Sequence, residues 1–193
     1  MTGIILAGGK NSRMGANKAF LEIYGVPLIE RTITLFQGIF DEVMVVTNSP
    51  LSHLGQNVTI VTDIVRDKGA LGGLYTGLFF ASGTHAFVCA CDMPFLDGPF
   101  IEHMIKLAAD YDIVVPHSGD GLQPLHAIYG KKCLPAIINL MTLDKLKIAN
   151  LYDKRHKILT IGECIVDSFD LGRKMFLNMN TYDDLKRIMP AGS

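Results

Sequence analysis

Short apolar runs of the kind that fill a buried strand alternate along this chain with segments whose apolar positions recur at helical spacing. Gly3–Ala7 reads as a first strand. Leu28, Ile29, Thr32, Ile33, Phe36, Ile39 and Phe40 then trace one face of a helix, with Pro27 suited to its first turn. Val43–Val46 is a second strand, ended by Thr47-Asn48-Ser49-Pro50, and Val58–Val61 a third. Gly69–Ala81 reads as a glycine-rich turn feeding a helix. Ala86–Ala90 is a strongly apolar strand. It leads to a helix from Pro99 to Ala108, with Asp97 or Gly98 placed to cap it. Ile113–Val115 and Leu125–Tyr129 are further strands, and Cys133–Leu151 one or two helices. Ile158–Ile161 and Ile165–Val166 are weaker strand signals, and Thr181-Tyr182-Asp183-Asp184 is a capping box for a last helix.

This alternation predicts an α/β protein: a three-layer α/β/α sandwich with a mixed, mostly parallel central sheet. The early strand–helix–strand units require parallel pairing with right-handed crossovers, whereas the later segments are spaced like an antiparallel addition. No repeat or linker divides the chain, so residues 1–193 are expected to form one domain. Ligands of such sheets collect beyond the carboxyl ends of the strands.

Composition narrows the function classes. Lys and Arg total 18 against 19 Asp and Glu. No global basic field is therefore available for nucleic acid or an anionic membrane, and any polyanion site must be local. The start, Met1–Lys10, lacks the pattern of a signal peptide, and its apolar run is too short to span a bilayer. Cys89, Cys91, Cys133 and Cys164 form no metal-ligand series. Cys89 and Cys91 alternate in an apolar run and read as small buried hydrophobes on one strand face. The expected compartment is the cytoplasm.

The most informative stretch is Leu6-Ala7-Gly8-Gly9-Lys10-Asn11-Ser12-Arg13-Met14-Gly15-Ala16-Asn17-Lys18. It begins where a buried strand stops. Gly8 and Gly9 free backbone N–H groups to turn toward an anion. Arg13 can fork onto phosphate oxygens and Lys18 adds a compact charge. Neither the dinucleotide-binding GxGxxG spacing nor the GxxxxGK[ST] spacing occurs in this loop, which weakens an oxidoreductase or Walker-type reading. Farther on, Asp92 ends the Phe87–Cys91 run. A carboxylate there is costly to bury alone, and a hard cation such as Mg²⁺ offsets that cost. Asp63, taken by itself, is an ordinary loop acid.

The loop resembles the LAGGxSxRMGxxK signature of the molybdenum cofactor nucleotidyltransferases, within the superfamily of nucleotide-sugar pyrophosphorylases. It matches at Leu6, Ala7, Gly8, Gly9, Arg13, Met14, Gly15 and Lys18, and differs at Asn11 and Asn17. Cys91-Asp92-Met93-Pro94-Phe95 is similar to that family's CDMPF block. Gly69–Leu74 resembles its GPLAGI segment, with Ala70 for proline. Gln123–Tyr129 resembles EPLFALY, with Gln123 for glutamate and His126 for phenylalanine; taken by itself, Leu125–Tyr129 also reads as an edge strand whose His126 faces the core or solvent. Phe176–Thr181 resembles FxNxNT, and Asn178 and Asn180 alternate there as on a strand, with both amides on one face.

The resemblance implies a nucleotide-diphospho-sugar transferase-like fold. It also implies nucleotide contacts at Leu6, Ala7, Gly8, Gly9, Lys18, Asp63, Gly73 and Asp92, Mg²⁺ on Asp92, and catalytic roles for Arg13, Lys18 and Asp92. Gln123, Asn178 and Asn180 become candidates on the acceptor side, Asn180 also for a second metal contact. The reaction implied is transfer of GMP from GTP to the phosphate of the molybdopterin cofactor, with cofactor-delivering and molybdoenzyme-maturation proteins as further partners. Cytidylyl or uridylyl transfer to a pterin or sugar phosphate is the nearest alternative. A catalytically silent nucleotide-binding regulator is disfavoured, since it would tolerate loss of Arg13, Lys18 or Asp92.

Overall fold

The computed structural model describes residues 1–8 and 18–179, with the backbone alone at residue 18. The strands are β1 (Thr2–Leu6), the short pair β2 (Glu22–Ile23) and β3 (Val26–Pro27), β4 (Glu42–Val46), β5 (Thr59–Val61), β6 (His85–Ala90), β7 (Ile113–Ser118), β8 (Gly121–Leu122), β9 (His126–Gly130) and β10 (Ile158–Ile161). The α-helices are α1 (Leu28–Gln37), α2 (Gly69–Phe80), α3 (Gly98–Leu107), α4 (Leu134–Thr142) and α5 (Glu163–Phe169).

The main sheet runs in the order β10-β7-β9-β6-β1-β4-β5, with β8 paired to β7. β1 is parallel to β4 and β6, β4 to β5, and β7 to β10, whereas β9 is antiparallel to both β6 and β7. The carboxyl ends of β5, β4, β1, β6 and β7 consequently share one edge, where β9 contributes its beginning.

Period-two alternation divides the strand residues between the two faces. Ile5, Val45, Phe87 and Cys89 point to a core completed by Ile29, Ile33 and Phe36 of α1, Phe100, Ile101 and Met104 of α3, and Val166 of α5. Ile4, Met44, Val46, Ala86 and Val88 point to the opposite core, with Leu71, Leu74 and Leu78 of α2 and Ile137, Leu140 and Met141 of α4. The layering is therefore the expected α/β/α sandwich.

Several local expectations are corrected. Gly69–Gly73 is no turn, because α2 begins at Gly69. The chain reverses just before it, with Asp67 at φ 61° and Gly69 at φ 56°. The later glycines serve close packing: a Cβ on Gly77 would lie 2.8 Å from two side-chain atoms of Ile4. Ile165–Val166 lies in α5, where Val166 is a core residue of a helix too short to show a clear period. Leu125–Tyr129 is not at an edge, since β9 lies between β6 and β7. Asn178 lies in no strand, because residues 177–179 form no ladder. α1 starts at Leu28, with Pro27 as the residue before it. The capping box at residues 181–184 lies outside the described residues.

No helix among the described residues is long and apolar enough to cross a membrane. All four cysteines are free thiols, and Cys89 and Cys133 are buried.

Candidate active site

Hydrogen bonds continue past the strand ends and fix where the edge begins. Ala7 N–H donates to Val46 O (2.8 Å), Thr47 N–H to Val61 O (3.0 Å) and Cys91 N–H to Leu6 O (3.1 Å). The buried Thr47 hydroxyl donates to Ala7 O at 3.2 Å. Gly8, Asn48 and Asp92 therefore follow directly on a hydrogen-bonded platform.

Four of the expected residues meet there. A Cβ at exposed Gly8 would lie 3.8 Å from Asn48 Nδ2 and 3.9 Å from Asp63 Oδ2. A Cβ at buried Gly73 would lie 3.3 Å from Leu6 Cδ2 and 3.6 Å from Asp63 Oδ1. Leu6, Gly8, Asp63 and Gly73 thus line one open cavity of about 640 Å³, with Asn48, Arg66, Asp67, Ala70 and Leu146 among its other walls. Glycine at 73 keeps the α2 backbone close to Leu6.

Asp63 is the charged centre of this cavity. Its carboxylate is half-buried and accepts a hydrogen bond from Asn48 Nδ2 at 3.0 Å. Burial raises its pKa above the ordinary aspartate value, opposed by the Asn48 hydrogen bond and the nearby Thr76 hydroxyl. Thr76 is fully buried, and its Oγ1 also accepts from Ile64 N–H at 3.2 Å, holding the residue after Asp63. A carboxylate kept partly dry by neutral donors is a strong acceptor for ligand hydroxyl or amine protons. In the sequence Asn48 reads as turn chemistry within Thr47-Asn48-Ser49-Pro50, and its one signal is its place just beyond a strand end.

Asp92 occupies the neighbouring position, just beyond β6, half-buried. It does not cap α3; Asp97 does, accepting from Phe100 N–H at 2.7 Å. The Asp92 carbonyl accepts from Met179 N–H at 2.7 Å, which brings the segment carrying exposed Asn178 to the same edge. Among the described residues no group of three His, Cys, Asp or Glu side chains could cage a cation. A hard carboxylate at a strand end fits a Mg²⁺ that keeps water and phosphate oxygens in most of its octahedron.

On the far side of β6 lie the acceptor candidates. Gln123 is half-buried; its Nε2 donates to Ser118 Oγ (2.7 Å) and Gly121 O (3.3 Å), bracing the β7–β8 hairpin. Tyr129 Oη donates to Pro124 O at 2.7 Å, with Tyr152 Oη 2.8 Å away, fixing the turn before β9. His126 faces the core, fully buried among Phe87, Phe100 and Phe176. Neither of its ring nitrogens has a hydrogen-bond partner among the described residues, and burial pushes its pKa down to about 3. That imidazole is neutral and packs as an aromatic.

Ala7 is buried at the mouth of the loop. Gly9, Arg13, the Lys18 side chain and Asn180 lie outside the described residues.

Residues 3–158 match the profile of the MobA-like NTP transferase domain. The molybdenum cofactor guanylyltransferase of Desulfosudis oleivorans is 36% identical over 193 aligned residues, covering 99% of this chain and 95% of its own length. A probable molybdenum cofactor guanylyltransferase of Peptoclostridium acidaminophilum is 37% identical, covering 95% of this chain and 86% of its own. Among solved structures, molybdopterin-guanine dinucleotide biosynthesis protein A of Archaeoglobus fulgidus superposes with a TM-score of 0.81 at 25% identity, over 97% of this chain and 96% of that one.

Proposed function

The chain belongs to the MobA-like NTP transferase family, and from that premise we propose that it transfers GMP from GTP to the phosphate of the molybdopterin cofactor, releasing pyrophosphate. The observation that carries this reading is the meeting of Gly8, Asn48, Asp63 and Gly73 around one cavity at the ends of β1, β4 and β5. Asp92 stands on the adjacent strand end, and Gln123 and Asn178 lie beyond it.

In this reading the nucleoside sits over β1, β4 and β5, with Asp63 and Asn48 as hydrogen-bonding groups for its sugar or base. The triphosphate is assigned to the glycine loop that begins at Gly8, on the side of Asp92. The acceptor comes from the β9 side. Its terminal phosphate oxygen attacks the α-phosphorus of GTP, the bond to the β-phosphate oxygen breaks, and pyrophosphate departs in line. An ionised phosphate nucleophile needs no general base, so positioning and charge stabilisation supply the catalysis. Arg13 and Lys18 are assigned the charge that develops on pyrophosphate. Asp92 is assigned Mg²⁺, which when bound neutralises phosphate charge. Asn180 is assigned to the acceptor side with Asn178.

The same reading takes residues 1–193 as a single nucleotidyltransferase domain, because one sheet draws strands from Thr2 to Ile161. A cytoplasmic setting agrees with four free thiols. Proteins that deliver the pterin and receive the product are the further partners.

The test is a nucleotide panel. Purified protein with Mg²⁺, the pterin phosphate acceptor and GTP, CTP, UTP or ATP is assayed for pyrophosphate. Release with GTP alone is expected. Release with CTP or UTP instead reassigns the base, and silence with every nucleotide leaves a binding protein without transferase activity.

A further inference from the structure

Among the described residues, the walls of the nucleotide cavity come from residues 6–73 with one exception: Leu146 reaches it from the segment after α4. That segment is firmly set. Asp144 is left-handed at φ 54°, and the end of α4 is closed by hydrogen bonds from Asp144 N–H to Met141 O (3.2 Å) and Lys145 N–H to Leu140 O (2.9 Å). Asn150 Nδ2 donates to Lys145 O at 3.3 Å. Leu146 itself is half-buried against the core beneath α2 and α4.

An ion pair joins this segment to the other side of the cavity. Lys68 Nζ lies 3.0 Å from Asp144 Oδ1, and Lys68 immediately precedes α2. Gly73 of that helix packs on Leu6 at the sheet, and Gly69 stands roughly one helical turn, ~5 Å, farther out. The pair therefore ties Leu146 to the outer rim. Beside the polar groups Asn48, Asp63, Arg66 and Asp67, the cavity presents aliphatic surface from Leu6, Val46, Ala70 and Leu146.

Resting on the nucleotide reading above, we infer that Leu146 is a base-contacting specificity residue, positioned by the Lys68–Asp144 pair. Its side chain covers a face of the base, and a bicyclic purine buries more of that aliphatic surface than a pyrimidine does. The triphosphate is bound elsewhere and does not feel it.

The experiment measures calorimetric affinity of the full chain for GTP, CTP and inorganic tripolyphosphate, without acceptor. Leu146→Ala should weaken GTP about tenfold, leave tripolyphosphate unchanged, and narrow the preference for GTP over CTP. Leu146→Met should restore most of the loss. Lys68→Ala and Asp144→Ala, at exposed or partly exposed positions, should each weaken GTP about two- to threefold, and the double variant no further. Unchanged GTP affinity in Leu146→Ala overturns the inference, as does an equal loss for GTP and tripolyphosphate, or no GTP binding by the parent chain. Affinities that follow the expectation while no pterin product forms would sink the transferase reading and leave the base wall standing.

Discussion

The backbone N–H of Met179 donates to the carbonyl oxygen of Asp92 across 2.7 Å. This bond joins residues far apart in sequence and holds the Asn178 segment beside the strand end that carries the proposed metal ligand. The bond uses the Asp92 main chain, so the side chain can be altered without breaking it. Asp92→Asn is expected to abolish pyrophosphate release while the thermal midpoint stays level or rises. A midpoint that collapses would make the carboxylate a structural group.

Asp63 gives a second test. Its folded pKa is raised above the unfolded value, so the residue favours folding when protonated and withdraws that support as pH rises through the folded pKa. Asp63→Asn should therefore be more stable than the parent at neutral pH, with the difference shrinking on acidification. Its affinity for GTP should fall. Thermal melts across pH, together with nucleotide titration, separate the two effects; retained affinity removes Asp63 from the site.

His126 sits in an aromatic cage with both ring nitrogens unpartnered among the described residues. Removing a buried unsatisfied polar group is worth about 1–3 kcal/mol. His126→Phe should accordingly raise the melting temperature by several degrees, at about 2–4 °C per kcal/mol for a chain of this size. The acid dependence follows from the same burial. A folded pKa of about 3 against an ordinary 6.5 means the unfolded chain takes up the proton first. The parent should lose stability relative to His126→Phe as pH falls from about 6.5 toward 3, at about 1.4 kcal/mol per unit. Parallel melting curves for the two proteins would contradict the cage.

Gly77→Ala tests the packing of α2 on β1. Alanine favours helix by about 1 kcal/mol, but its Cβ would meet fully buried Ile4 at 2.8 Å. Overpacking a filled core costs about 1–3 kcal/mol. A net fall in denaturant midpoint is expected, and a rise would mean that the helix can lift from the sheet at no cost.

Much of this architecture could be read from the chain because buried parallel strands leave plain marks. Gly3–Ala7, Val43–Val46 and Ala86–Ala90 each became a strand within a residue or so. That Leu6, Gly8, Asp63 and Gly73 would lie together came from the family motifs: Leu6 and Gly8 mark a strand end, whereas Asp63 by itself is a loop acid and Gly73 lies within α2. The misses share another cause. The glycines of Gly69–Gly73 suggested a turn, although Gly73, like Gly77 farther along, serves close helix–sheet packing, which only the partner strand reveals. Ile165–Val166 and the Asn178 segment were too short for a period to declare itself. His126 looked like an edge residue until β9 was found inserted between β6 and β7. The contribution of Asn48 depends on its tertiary neighbour Asp63, and the role proposed for Leu146 on the Lys68–Asp144 pair, which a linear reading does not join.

The reversed direction of β9 has a consequence for how such a protein diversifies. Every other strand between β5 and β7 delivers its carboxyl end to the working edge, whereas β9 delivers the loop that enters it, braced by Gln123 and Tyr129. Insertions or exchanges in that loop can remodel what docks beside β6 without disturbing the parallel strands that hold the cavity. On the proposed assignment, one half of the edge is thereby free to drift toward new acceptors while the other stays committed to its nucleotide.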